Sequence, residues 1–275
     1  MRKIIVMCAF AGVPLLFYAQ SYRSPVADPA LGSGAYSVNY QDAFVFASNP
    51  ASLGLSPGAG GTSVGIAANR RFMIAELTRY NTVVAFRRKN AGLAVQMNYS
   101  GFSGFNESSA GIGFGRNLGK IAVGIQVNYH RLVMTGYDSY GTASADVSLS
   151  WQLTEKLRSG IQVVNAVPRN FGPLKDERYA SIYKMGLGYE ASENCYLSSE
   201  ILKETEKEVN VFLSVHYQFA SRFFGRIGVN TDVGSPFFAL GWQQAKLRIL
   251  VTGSYHSRLG FSPGLMISFE NQKKD

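Results

Sequence analysis

From Gly61 onward, apolar and polar positions alternate with a period of two, segment after segment. That is the signature of strands with two unlike faces rather than of helices. In residues 93–100 one face reads Leu93, Val95, Met97, Tyr99 and the other Ala94, Gln96, Asn98, Ser100. Residues 121–130 repeat the pattern, with Ile121, Val123, Ile125, Val127 and Tyr129 against Ala122, Gly124, Gln126, Asn128 and His130. Residues 209–219 do so again, Val209, Val211, Leu213, Val215 and Tyr217 opposing Asn210, Phe212, Ser214, His216 and Gln218. The apolar face often ends in an aromatic residue, as at Tyr99, Tyr129, Trp151, Tyr189, Tyr217, Trp242, Tyr255 and Phe269. Aromatic girdles at membrane interfaces produce that placement.

The pattern predicts strands at 61–69, 78–88, 92–102, 106–116, 120–132, 140–153, 156–167, 178–191, 194–203, 207–219, 222–231, 236–244, 246–256 and 262–270. These are about fourteen segments, close to the ~9–11 residues a tilted strand needs to cross a bilayer. Their connections alternate in length. Tight turns at Arg88-Lys89-Asn90-Ala91, Asn117-Leu118-Gly119, Thr154-Glu155, Ser192-Glu193, Ala220-Ser221 and Gln244-Ala245 are separated by longer loops, such as 134–140 and 168–178. Outer-membrane barrels pair short periplasmic turns with longer external loops. Both termini then lie in the periplasm, as an even strand number requires.

A secreted β-sandwich would also alternate, with its apolar face turned inward. Fourteen regular segments without a linker exceed one sandwich, however, and the polar face is rich in Gly, Ser and Asn with few Lys or Glu. That is an odd solvent surface but a reasonable lumen. Composition agrees: charged residues make up only 16% of the 275, against the roughly 25% of an average soluble domain. After the first twenty residues no stretch is apolar over the ~20 residues of a spanning helix. The expected fold is therefore an all-β, transmembrane antiparallel barrel of the outer membrane.

The N-terminus reads as an export signal over residues 1–19, with Arg2 and Lys3 before an apolar run from Ile4 to Tyr18 and cleavage at Ala19-Gln20. Phe17 departs from the small-residue rule at the −3 position, and a retained anchor is the alternative. Cleavage would lower the formal charge from +9 to about +7 and remove Cys8. Cys195 would remain alone, leaving no internal disulfide and no CxxC motif.

Residues 20–60 do not alternate. They carry Gly34-Ala35-Tyr36, Asp42-Ala43 and Asn49-Pro50-Ala51-x-Leu53. This run resembles the N-terminus of the FadL-type hydrophobic-solute transporters and of the related PorV/PorQ-type barrels that accompany type IX secretion in Bacteroidota. The resemblance implies a fourteen-stranded barrel over 61–275 and an N-terminal plug over 20–60. It makes Asp42, Ala43, Asn49, Pro50, Ala51 and Leu53 the plug motif. Asn49 before proline favours an extended residue entering a turn. Small inward residues such as Gly65, Gly113, Gly115, Gly124, Gly186 and Gly188 leave room for a polypeptide. The alternative for 20–60 is a disordered periplasmic leader. Unlike the fatty-acid transporters, the chain is small and its external loops are short.

The same register turns Asp146, Arg158, Lys184, Glu190, Glu200, Arg226 and Arg248 inward. Charges at membrane depth face the interior and find partners. Pairing with one another or with the plug is favoured over an anion-selective constriction. His130, His216 and His256 face inward without metal-ligand spacing. Ser254 and His256 share a strand face, but no acid partner, GxSxG or HExxH accompanies them. No enzyme, metal or cofactor is expected. The positive charge, spread over turns and the Lys273-Lys274 tail, suits anionic lipid head groups rather than nucleic acid. The favoured function is a non-enzymatic accessory or scaffold barrel with protein partners in an outer-membrane secretion or assembly complex. The alternative is a FadL-like transporter of small hydrophobic compounds, for which Leu202, Phe212, Phe224, Phe237 and Leu250 are inward apolar candidates. A barrel that merely occupies membrane is a third, weaker reading.

Overall fold

The computed structural model describes residues 30–55, 60–136, 139–167, 170–171, 174–178, 180–205, 207–231 and 234–272. The export signal at 1–19, residues 20–29 and the Lys273-Lys274 tail lie outside the described residues.

Alternation becomes a closed wall. The strands are β1 (Gly60–Arg70), β2 (Thr78–Arg88), β3 (Ala91–Phe102), β4 (Phe105–Asn117), β5 (Ile121–Met134), β6 (Tyr140–Gln152), β7 (Leu157–Val164), β8 (Asn170–Phe171) and β9 (Leu174–Arg178). They continue as β10 (Ile182–Ser192), β11 (Cys195–Glu204), β12 (Val209–Ala220), β13 (Phe223–Asn230), β14 (Ser235–Gln244), β15 (Leu247–His256) and β16 (Gly260–Gln272). All except the small β8–β9 pair form one antiparallel barrel of fourteen strands. β1 pairs with β16 to close it, so no edge with unpaired N–H and C=O groups faces lipid.

Side chains follow the pleat. Along β10, inward residues are buried and outward ones exposed in strict alternation from Ile182 to Glu190. The outward set is large and apolar: Ile66, Met97, Ile112, Val127, Ile227 and Leu240 are each more than half exposed. In water such a surface would aggregate; in a bilayer it is the required lipid belt. No described helix is long and apolar enough to cross a membrane, and the crossing is made by strands.

Two expectations need correction. Alternation was expected to run over 156–167 and 178–191, but β7 stops at Val164 and β10 begins at Ile182. Asn165 ends β7 because it adopts a left-handed φ of 52°, which asparagine tolerates, and gives its N–H to Asp146 instead of to the ladder. β8 and β9 then form a separate hairpin in the intervening loop. The length asymmetry is also incomplete. At the loop end, β3 and β4 are joined by a turn as tight as those at the opposite end, with Phe102 paired to Phe105.

The core lies inside the wall rather than between sheets. Residues 30–55 form a 3₁₀ turn (Ser33–Tyr36), the short helix α1 (Val45–Ser48) and a second 3₁₀ turn (Pro50–Gly54). Asn49 is extended (φ −155°), as a residue before proline must be. Its side chain accepts from Ala51 N–H at 3.0 Å, and Pro50 starts the turn where no backbone donor is needed. Phe44, Phe46, Ala47 and Leu53 pack with Val83, Leu250, Met266 and Phe224 from the wall in one apolar cluster.

Candidate functional site

Close seating of residues 30–55 depends on wall positions without side chains. A Cβ on Gly115 would lie 2.6 Å from the Pro50 carbonyl oxygen, and one on Gly92 2.6 Å from that of Leu53. On the opposite side Tyr36 lies flat over Gly186 and Gly188, where any side chain would overlap its ring or carbonyl. The glycines therefore let backbone meet backbone across the lumen. Asp42, Ala43, Asn49, Ala51 and Leu53 are each 0% exposed, and Pro50 is buried with them.

Charges on the wall tie this segment down. Arg226 donates to the Ala30 carbonyl at 2.8 Å, forms an ion pair with Asp42 Oδ2 at 3.3 Å and donates to His216 Nδ1 at 3.0 Å. Asp42 Oδ1 meanwhile accepts from Phe44 N–H at 2.9 Å. Arg158 donates to the Ser37 carbonyl, and Arg248 to that of Gln41 at 3.0 Å. Glu190 works in the opposite sense, accepting from Ser37 Oγ at 2.6 Å and Val38 N–H at 2.8 Å. Tyr36 donates its hydroxyl to Glu200 at 2.8 Å, and Lys184 stands 3.7 Å from the other oxygen of that carboxylate. Three arginines thus meet carbonyls, and Glu190 meets donors, along residues 30–41. Asp146 bonds within the wall itself, accepting from Asn165 N–H and Asn128 Nδ2.

Sequence reasoning missed Arg87 and Glu270, both inward near the turn end, with Glu270 3.7 Å from Arg248. Continuing the alternation from Val83 and Ala85, and from Ser268, would have found them. It also missed the role of Phe44, whose ring edge lies against Gly65. His216 is packed between Tyr40 and Phe224, with ring centroids 4.2 and 5.0 Å away. His256 accepts from the N–H groups of Arg258 and Leu259 in its own turn. No cluster of three potential metal ligands occurs among the described residues.

Beyond the segment, toward the loops, lies a cavity of about 330 Å³, at the lower end of the ~300–1,000 Å³ of small-molecule sites. Its floor is Leu31, Gly32, Ser33, Tyr36 and Ser48. Leu202, Phe212 and Phe237 form an apolar flank, and Phe72 stands at the mouth. Phe72 and Met73 both have left-handed backbones (φ 54° and 61°), rare for such residues and costing on the order of 1–3 kcal/mol each. Phe72 is held there by its N–H on Ser262 Oγ at 2.9 Å and by an edge-on contact with His256. Below the floor, Phe44, Ala47, Leu250 and Met266 are buried in one apolar cluster.

Three solved structures share this architecture. The chain superposes on the toluene transporter TbuX of Ralstonia pickettii with a TM-score of 0.60 at 10% identity, covering 82% of this chain and 92% of that one. The toluene transporter TodX of Pseudomonas putida gives 0.61 at 11%, covering 86% and 97%. The CymD monoaromatic hydrocarbon channel gives 0.62 at 12%, covering 86% and 94%. The chain shares with them the fold of a closed outer-membrane β-barrel. No family model and no curated protein matches the sequence, so the likeness lies in the backbone path. The superposition spans nearly the whole of these neighbours.

Proposed function

We propose that this FadL-like barrel is an outer-membrane transporter for small, largely apolar compounds. It would admit them from the loop end into the cavity and hold them above residues 30–55. The observation that carries this reading is the cavity itself, partly apolar, floored by the N-terminal segment and open toward the loops. The proteins sharing the fold are described as toluene transporters and a monoaromatic hydrocarbon channel, which supports transport over a purely structural role. In this reading residues 20–60 act as a closure toward the periplasm and residues 61–275 as the conduit. The test is equilibrium binding of small aromatics to the detergent-purified full chain, with Phe237→Arg as a blocked control. Saturable binding that the control loses supports transport; no difference between the two refutes it.

A second reading keeps one specific observation in its favour. The apolar cluster and the ion-paired segment would close the lumen at the turn end, which suits an accessory or scaffold barrel of the PorV/PorQ type. Purification from native outer membrane distinguishes the two. A stoichiometric protein partner supports the scaffold, whereas a lone monomer that binds ligand supports transport.

A further inference from the structure

We infer that the cavity selects neutral, hydroxyl-bearing small molecules over bare hydrocarbons; this rests on the transport reading and narrows its substrate class. The apolar flank of Leu202, Phe212 and Phe237 covers only part of the lining. Most of the remainder is hydroxyl and carboxamide. Ser214, Ser235, Ser254 and Ser262 join Asn210 and Asn230 around one belt, brought there by the five consecutive strands β12 to β16. Ser198 and Ser214 share a hydrogen bond of 2.7 Å, while the buried hydroxyl of Ser235 has no partner among the described residues. A hydrocarbon in this space would strip water from the belt and return nothing. A ligand with one hydroxyl can place its ring on Phe212 and Phe237 and exchange hydrogen bonds with the belt. Sites built to bond a hydroxyl discriminate strongly against analogues lacking it, because buried polar groups are then left unmet.

The charges argue for neutrality. Lys184 stands 3.7 Å from Glu200, and Lys207 3.0 Å from Glu204, so these two cations of the lining already face carboxylates, while Arg71 lies over the Phe72 ring and Arg79 also lines the space. An acidic ligand would have to compete with these pairs. The strained Phe72 adds an aromatic surface at the mouth, held by the Ser262 hydroxyl of the same belt. The belt thus positions the mouth as well as lining the cavity.

The experiment compares three probes with the same ring on the detergent-purified full chain: toluene, benzyl alcohol and benzoate. Partitioning into detergent is subtracted with the Phe237→Arg control. Benzyl alcohol is expected to bind at least tenfold tighter than either toluene or benzoate. Ser235→Ala is expected to reduce that preference several-fold. Toluene or benzoate binding as tightly as benzyl alcohol overturns the inference and leaves the transport reading standing. Failure of all three to bind saturably sinks both.

Discussion

Replacing Asp42 by asparagine removes the only charge on residues 30–55 while changing almost no volume. Asp42 and Arg226 are buried, with 0% and 3% of their side-chain surface exposed, at 3.3 Å. Removing one member of such a pair typically costs ~3–5 kcal/mol, because the other is left buried without its counter-charge. Here the lower end applies, since Arg226 keeps the Ala30 carbonyl and His216 Nδ1. The asparagine Oδ1 can still accept from Phe44 N–H. At about 1.4 kcal/mol per tenfold, roughly 3 kcal/mol lowers the ratio of seated to unseated segment by about two powers of ten. The cost falls on seating rather than on the barrel, because no ladder hydrogen bond involves Asp42. Limited proteolysis of the full chain should therefore cut residues 30–55 about a hundredfold faster, in the regime where opening equilibrates before cleavage. Conductance in planar bilayers should rise, while the mobility shift of the folded barrel on unheated gels stays unchanged. Asp42→Leu with Arg226→Met should recover much of the protection, since apolar replacement of both partners is often neutral. Wild-type proteolysis and conductance in Asp42→Asn would refute the idea that this pair seats the segment.

Other consequences follow from the same geometry. Gly186→Leu should displace Tyr36 and expose residues 30–55 to protease without preventing barrel assembly; a barrel that stays closed would contradict the close packing at this glycine. Val127→Arg, outward at the middle of β5, should cost about 2–4 kcal/mol of stability in lipid vesicles by urea titration, and an unchanged midpoint would place that face away from lipid. Burial, and then Glu200, raises the Tyr36 phenol well above the usual tyrosine range. A raised folded pKa contributes stability fully below the free value of about 10, lost as pH climbs above it. Protease protection of the segment should therefore weaken only above about pH 10, and Tyr36→Phe should flatten that dependence.

Much of the wall was legible because a period of two is a local property. A strand facing lipid outside and a lumen inside must alternate, so the fold class and the number of strands can be read along the chain. The proline rule likewise anticipates the extended Asn49. Local pattern failed where one residue left the ladder for a distant partner, as Asn165 did for Asp146.

What the sequence alone determined was direction: which side chains enter the lumen, and that a non-alternating, glycine-matched segment precedes the wall. Only the tertiary structure decided partners. Arg226 meets Asp42 across 184 positions of sequence and Tyr36 meets Glu200 across 164, and closure of the barrel sets both distances. The cavity is decided in the same way. Alternation turns Leu202, Phe212 and Phe237 inward, but they face one space with Leu31 and Phe72 only because fourteen strands close into a ring over a buried floor.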